Sequence, residues 1–549
     1  MGWIQFGSKP PSVNTVLGSL LLAIIFYGFF IVVNRIFFEP LSKVPGPKLA
    51  ALTKWYGFYY NVIRDGQYSL SFSSLHKKYG SPVIRIGPNA VHVDDPSFYQ
   101  EMFSMTTKYY KEPEFYKALG AEGAMASILD PKHHRMYRNH LRPLFASRAV
   151  DGVVPRLILE LEKATCIFDM HRKDHRPLNI QALYRSFTSD MVCELLFGET
   201  PDFIGDGNGY HPFVAALDRF TAFSWLVVYF PWIKSIQFHL PFGLGDKLAP
   251  EFNDFKRQCE TWETKAQVKR DSGVQVGQKN LFDYYAELGA GPETAVSGVA
   301  QPVEDAFNFL TAGTESTAYT LSSTAFHILN NPQVFKKLRE ELDASVDFIR
   351  DDFNAKQIQA LPYLGAVIKE TMRLSTAVPG NLPRLVPPGG VAVGSVYLPE
   401  GTIVSSSHLS IITNDTIFHD PYKFKPERWL GEEGKSLERW HVGFSRGPRR
   451  CIGSRLVHPY ILGRTADFMP CSASTNDIAR SLAYLELFCV TAYVFSRFEM
   501  TLFETDESSM QWVDRISARN RKDVQVRILA DRWEKEAHSI AGGTLCKEE

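Results

Sequence analysis

Late in the chain, the stretch F-S-R-G-P-R-R-C-I-G-S-R-L, Phe444 to Leu456, sets one cysteine among arginines and glycines. A cysteine ligates soft metals as its thiolate, and that anion needs positive charge or backbone N–H groups nearby. This stretch offers both. Gly447 and Gly453 permit a tight loop that turns N–H groups toward the sulfur of Cys451, Arg446, Arg449 and Arg450 add charge, and Phe444 can keep water away. Taken alone, one cysteine in a basic loop is more often inert or redox-labile than a ligand.

Three further constellations carry candidate chemistry. Ala312 to Thr317, A-G-T-E-S-T, interrupts a long helical pattern running from Glu304 to Asn330 with small and polar residues where a core helix favours leucine. An exposed polar face with back-bonding hydroxyls is the plainer reading of the same residues. Glu370 and Arg373 stand one helical turn apart, and Arg428 can join them in a charge-assisted network, although a lone pair at this spacing is usually a solvated surface pair. His134 and Arg138 are likewise one turn apart.

The elements that must position these residues follow from periodicity. Residues 130 to 380 are mostly helical in pattern, whereas P-V-I-R-I-G and A-V-H-V-D, Pro82 to Asp94, alternate like paired strands. No internal repeat or second linker is visible, which predicts one large, mainly α domain with a small β-sheet region over 49–549. It is preceded by an N-terminal segment (1–15), an uncharged apolar run from Val16 to Val33 and a proline hinge within 34–48. The apolar run is roughly 27 Å long as a helix, enough to cross one hydrocarbon core. Arg35, Lys43 and Lys48 follow it and only Lys9 precedes it, which predicts a single transmembrane anchor with the body on the cytoplasmic side. Acidic and basic residues balance at 60 each, so there is no basic surplus for nucleic acid. The seven cysteines are scattered without metal-type spacing, against a disulfide framework or a zinc cluster.

F-S-R-G-P-R-R-C-I-G resembles the haem-binding signature F-x-x-G-x-R-x-C-x-G of the cytochrome P450 monooxygenases. Three more motifs arrive in that family's order: A-G-T-E-S-T is similar to the oxygen-activation segment, E-T-M-R to the E-x-x-R helix, and F-K-P-E-R-W, Phe424 to Trp429, to the PERF segment. The resemblance implies the cytochrome P450 fold and haem b (iron protoporphyrin IX) with Cys451 as axial ligand. It implies Glu315 and Ser316 as proton-relaying acid and alcohol, and Glu370, Arg373 and Arg428 as a structural network. His134-x-x-x-Arg138 is similar to the family's W-x-x-x-R with histidine replacing tryptophan, and with Arg384 and Arg449 it is expected to hold the haem propionates. Ser316 departs from the usual threonine and Glu315 from the common aspartate, which bears on coupling efficiency. The implied partners are NADPH-cytochrome P450 reductase, a lipophilic small-molecule substrate and the endoplasmic reticulum membrane. Other wording, such as K-Y-Y-K-E-P-E-F-Y, is similar to fungal secondary-metabolite members.

No dinucleotide fingerprint is present, so the reductase is expected to be a separate protein. The pocket walls are expected near Tyr109 to Ser127, Thr376 to Leu382 and the aromatic stretch from Phe220 to Phe242, which core packing or membrane contact would explain equally well. A haem-thiolate isomerase or dehydratase, or a non-catalytic haem sensor or carrier, are the alternatives. Residues 456–481 interrupt the expected run from the cysteine loop into a helix at L-A-Y-L-E-L, with Pro459 and Pro470 inside. Deleting them restores C-I-G-S-R-L-A-Y-L-E-L, which suggests a retained intron, an inserted loop being the alternative.

Overall fold

Proline at the first turn opens several of the long helices, where its missing N–H costs nothing and its fixed φ suits the helix. The computed structural model describes residues 13–118, 123–205, 211–233, 250–273, 278–288, 301–454 and 481–534. Its longer helices are α1 (Val13–Val33), α2 (Tyr68–Tyr79), α3 (Pro131–Leu141), α4 (Val154–Lys173), α5 (Ile180–Phe197), α6 (Pro212–Ala222), α7 (Pro250–Asp271), α8 (Pro302–Leu329), α9 (Pro332–Asp343), α10 (Pro362–Leu374) and α11 (Leu482–Arg497). The mainly helical architecture with small sheets is the one expected from the periodicity.

Helix α8 crosses the largest hydrophobic cluster, where its Leu310, Ala318 and Leu321 join Leu183, Phe187 and Met191 of α5 and Leu485 of α11. The glycine that weakens its sequence pattern is what lets α5 approach. A Cβ on Gly313 would sit 2.6 Å from Val192 Cγ2, so any side chain there would push the two helices apart.

The largest sheet contains β1 (Val83–Gly87), β2 (Ala90–Val93), β3 (Tyr110–Lys111), β4 (Arg384–Leu385) and β5 (Ile403–Ser405) in the order β1-β2-β5-β4-β3. The expected hairpin is present, with Val83 opposite Val93. At the other edge β3 pairs antiparallel with β4 and sets Lys111 directly opposite Arg384. Like charges facing each other across strands are unfavourable unless something offsets them. A second hairpin joins β6 (Trp512–Arg515) to β7 (Ser517–Asn520).

The apolar run expected as a span lies within α1 and is prolonged by a π-helical turn, Asn34–Phe38. Over Val16–Phe38 the mean hydropathy is 2.7 and none of the window is buried, which fits membrane anchoring. The proline hinge docks on the body: Arg85 N donates to Pro45 O at 2.7 Å, and the buried Arg85 guanidinium donates to Arg35 O at 2.8 Å and Glu39 Oε2 at 2.5 Å. Of the interruption at 456–481 only Ser481 belongs to the described residues; it caps α11 by accepting from Tyr484 N at 3.2 Å.

Candidate active site

Left-handed backbone at Ser445 (φ 57°) and Gly447 (φ 72°) bends the cysteine loop back on itself, so that Cys451 N donates to Phe444 O at 3.1 Å. Gly447 is required twice over, because a Cβ there would also lie 2.6 Å from Phe103 O. Burial pushes the Cys451 thiol above its ordinary range, against the N–H groups of Gly453 and Ser454 and the charges of Arg138 and Arg450, which favour the thiolate. Cys451 nevertheless keeps open surface. Phe444 stands edge-on to Tyr484 with ring centroids 5.1 Å apart, walling one side of the loop.

Helix α3 starts at an Asp130 cap, which accepts from His133 N at 2.7 Å, and brings Arg138 onto the loop. Arg138 Nη1 donates to Arg450 O at 2.8 Å and Nη2 to Cys451 O at 3.3 Å. Arg449 reaches back to Ile128 O and Leu129 O, each at 2.8 Å. Around the resulting 650 Å³ cavity stand Lys111, His134, Arg138, Arg384 and Arg449. No carboxylate among the described residues pairs with any of them; Arg384 donates to Tyr116 OH at 3.0 Å, and the Lys111 ammonium lies 4.3 Å from the Tyr116 ring centre and donates to Ala126 O. Burial together with Arg384 and Arg449 pushes Lys111 well below its ordinary value, burial and Arg449 push His134 down to about 2, and burial and Arg384 lower Arg449 to about 10. Such mutual destabilisation calls for an anionic complement. The donor set, an open thiol beside basic groups that no carboxylate among the described residues pairs with, fits a porphyrin-bound metal carrying two carboxylates.

The two residues expected to relay protons point different ways. Ser316 Oγ donates to Ala312 O at 2.7 Å on the side of α8 where Ala312 itself has open surface. Glu315 is buried against α5 and accepts from Arg185 Nη2 at 2.5 Å.

Behind the site, Glu370 Oε1 accepts from Arg373 Nη2 at 2.8 Å, Arg428 Nε at 3.0 Å and Lys425 N at 2.9 Å, while Oε2 accepts from Arg373 Nε and Trp429 Nε1, both at 2.9 Å. The remaining donors of both arginines go to backbone carbonyls, among them Ile412 O at 2.8 Å and His419 O at 2.7 Å. Burial alone would raise the Glu370 carboxyl, but Arg373 and Arg428 hold it below its ordinary value.

The structure thus gathers Cys451, Arg138, Arg449, His134 and Arg384 in one region and Glu370, Arg373 and Arg428 in another. Sequence reasoning missed Lys111, Trp429 and Arg185. Trp429 lies inside the quoted F-K-P-E-R-W, and Lys111 inside K-Y-Y-K-E-P, but neither motif assigns them a partner. Of the aromatic stretch, Trp225 packs with Phe115 and Tyr116 and donates to Asp514 O at 2.5 Å, whereas Phe223 and Trp232 are exposed; Phe242 lies outside the described residues.

Fold and site together define a mainly helical protein in which a cysteine loop lies beside a basic cavity. The family profile "Cytochrome P450" matches residues 45–459, and the chain belongs to that family. It is 90% identical over 515 residues to cytochrome P450 monooxygenase phqM of Penicillium fellutanum, covering 93% of this chain and 91% of that one. To cytochrome P450 monooxygenase cloA of Claviceps purpurea (strain 20.1) it is 38% identical over 97% of this chain and 99% of the relative. The crystal structure of a cytochrome P450 (CYP102L1) shares the fold at a TM-score of 0.66 and 18% identity, over 88% of this chain and 98% of that one. The protein is a fungal secondary-metabolite cytochrome P450 monooxygenase, a haem enzyme of a family that draws electrons from a redox partner and acts on lipophilic compounds. The isomerase and carrier alternatives find no support among these relatives.

Proposed function

We propose that the enzyme inserts one oxygen atom from dioxygen into a lipophilic terpenoid or polyketide at the endoplasmic reticulum membrane, with the catalytic body on the cytoplasmic side and electrons supplied by NADPH through a separate reductase. The observation that carries this reading is the open Cys451 thiol, reached by Arg138, beside a basic cluster without carboxylate partners among the described residues.

Cys451 would hold the haem iron, and Lys111, His134, Arg138, Arg384 and Arg449 would hold its propionates. Haem, when bound, supplies the activation of dioxygen. The protein's part is to place Ser316 Oγ on the open side of α8, where it can pass a proton, with Glu315 as the acid behind it. The N–H groups of Gly453 and Ser454 favour the thiolate against the burial that opposes it, and Phe444 packs on Tyr484 beside the loop.

Cys451→Ala tests the reading: the purified variant is expected to lose the red-shifted carbon monoxide spectrum of a thiolate-bound haem, and a variant that keeps it would falsify the assignment. Expression beside a reductase with a panel of terpenoids and polyketides then identifies the substrate. The body from 49 onward is one domain in this reading, and 456–481 is a retained intron or an inserted loop. The family match breaks off inside it, at residue 459, which supports an interruption. A chain lacking 456–481 is expected to bind more haem per polypeptide than the full chain. Equal haem content in the two proteins would overturn that expectation.

A further inference from the structure

Where α4, α5 and the turn after α5 meet, three acids stand together. Glu160 of α4 and Asp190 of α5 are fully buried, Asp202 of the turn is half-exposed, and each offers a carboxylate oxygen within 4.8 Å of the other two. Two bases answer them. Lys163 Nζ lies 3.2 Å from Glu160 Oε1 and 2.5 Å from Asp202 Oδ1, while Arg156 touches Glu160 Oε1 without the geometry of a hydrogen bond. Asp190 accepts from the Thr200 hydroxyl, from Phe203 N at 2.9 Å and from Ile204 N at 3.1 Å, which wraps the turn around it.

The cluster is incomplete in two respects. Glu160 Oε2 is buried and has no hydrogen-bond partner among the described residues, although a carboxylate oxygen sealed from water normally has a donor or a cation beside it. With the acids ionised, the described side chains also fall one positive charge short. Burial and Asp190 push the Glu160 carboxyl up to about 7 in spite of Arg156 and Lys163.

We propose that Glu160, Asp190 and Asp202 form a site for a hard divalent cation, magnesium or calcium, which takes the place of the Lys163 ammonium. Oxygens this close together can share one ion, since bonds of about 2.0–2.6 Å reach all three. A donor set of carboxylates with neither sulfur nor imidazole selects a hard metal over zinc or copper. No new space is needed, because the ion sits where the ammonium now bridges Glu160 and Asp202, and the Lys163 side chain, a quarter exposed, turns out to water. Exchanging one positive charge for two closes the deficit, whereas a monovalent ion in the same place would leave it. The bound ion ties α4 to α5 and to the turn. Asp190 directly follows Ser189, whose Oγ lies 3.1 Å from Thr314 Oγ1, so the tie also steadies the contact between α5 and α8.

The test uses the full haem-loaded chain, stripped of metal by a chelating resin and titrated with magnesium chloride or calcium chloride at an ionic strength held constant with sodium chloride. The melting temperature is expected to rise along a saturating curve, by roughly 5 °C at a hundredfold excess over Kd, with at least one of the two cations. Glu160→Gln should abolish the rise. Lys163→Met, which removes the tethered competitor, should tighten binding about tenfold, an outcome that a purely structural ion-pair cluster would not give. Should Glu160→Gln fail to fold, Asp202→Asn at the half-exposed edge replaces it and is expected to weaken binding. The proposal is overturned if neither cation raises the melting temperature beyond sodium chloride alone, if the rise survives in Glu160→Gln or at full affinity in Asp202→Asn, or if Lys163→Met binds no more tightly than the wild type.

Discussion

Two buried clusters of arginine in this molecule have opposite electrostatics. Around Glu370, two guanidinium groups, an indole N–H and a backbone N–H converge on one carboxylate, and the leftover donors find carbonyls. Around Lys111 and His134, the basic groups crowd one another, and among the described residues no carboxylate forms an ion pair with them. The first cluster is complete within the polypeptide and serves the fold. The second is incomplete without an anion, and this marks it as a binding site. Buried ion pairs contribute little net stability compared with apolar packing, but breaking one is expensive. The two clusters should therefore respond to mutation in different observables.

The largest effect is expected from Glu370→Ala, which strands two buried guanidinium groups. Losing one partner of a buried pair costs about 3–5 kcal/mol, against a total stability of about 5–15 kcal/mol for a typical domain. The variant is expected to yield no soluble haem protein, as read by expression and the carbon monoxide difference spectrum. A normally folded Glu370→Ala would break the comparison outright. In the second cluster, Lys111→Met should do the reverse to the polypeptide alone, relieving repulsion opposite Arg384 and raising the melting temperature of haem-free protein. It removes the donor proposed for a propionate, worth about 2 kcal/mol, so haem should leave for a scavenger protein about 30-fold faster. Lys111→Arg should release haem at close to the wild-type rate. Unchanged haem release in Lys111→Met would remove Lys111 from the site.

How much of this was legible in the sequence follows the same division. Glu370, Arg373 and Arg428 could be read because two lie one turn apart on a helix and the third belongs to a motif of known order. Cys451 could be read because its loop is local. Lys111 could not, since its role arises from β3 pairing with β4 in a register that sets it against Arg384, almost three hundred residues away in the chain. Glu315 and Ser316 were found as a pair, but adjacent helical residues differ by about 100° in direction. Which of them faces the open side depends on α5, and Arg185 carries no motif of its own. The alternating strands, the apolar N-terminal helix and the long helix around Gly313 were legible from periodicity and composition, whereas the reason for Gly313 needed Val192.

The clusters should also differ in their response to acid. His134 is held at about 2, below its unfolded value, so its contribution is full above about 6.5 and is lost as pH falls toward its folded pKa. Glu370 is depressed too, and its contribution is present above the unfolded value near 4.5 and is lost only as pH falls through the lower folded one. Between pH 6.5 and 4.5 Glu370 itself should not respond, whereas His134 should, alongside the buried His327 and His441, which are held at about 4. His134→Gln, which cannot titrate, should flatten the decline in melting temperature of haem-free protein over that window, a difference on the order of 1–2 kcal/mol. Loading haem should shrink the difference, because propionate carboxylates raise the imidazole's pKa. A decline identical in wild type and His134→Gln would show that the imidazole is not desolvated among cations.

The smallest effect is expected from Trp429→Phe, which keeps an aromatic ring beside Phe418 but removes the indole donor to Glu370 Oε2. That oxygen retains Arg373 Nε, and Glu370 keeps every charged partner, so only one neutral hydrogen bond is lost, about 1 kcal/mol in a melting experiment. Haem release and carbon monoxide spectrum should match the wild type, because no residue of this cluster lines the basic cavity. If Trp429→Phe instead accelerated haem loss as Lys111→Met does, the division between a cluster built for the fold and one built for a ligand would fail, since a satisfied network would then be transmitting strain to the loop of Cys451.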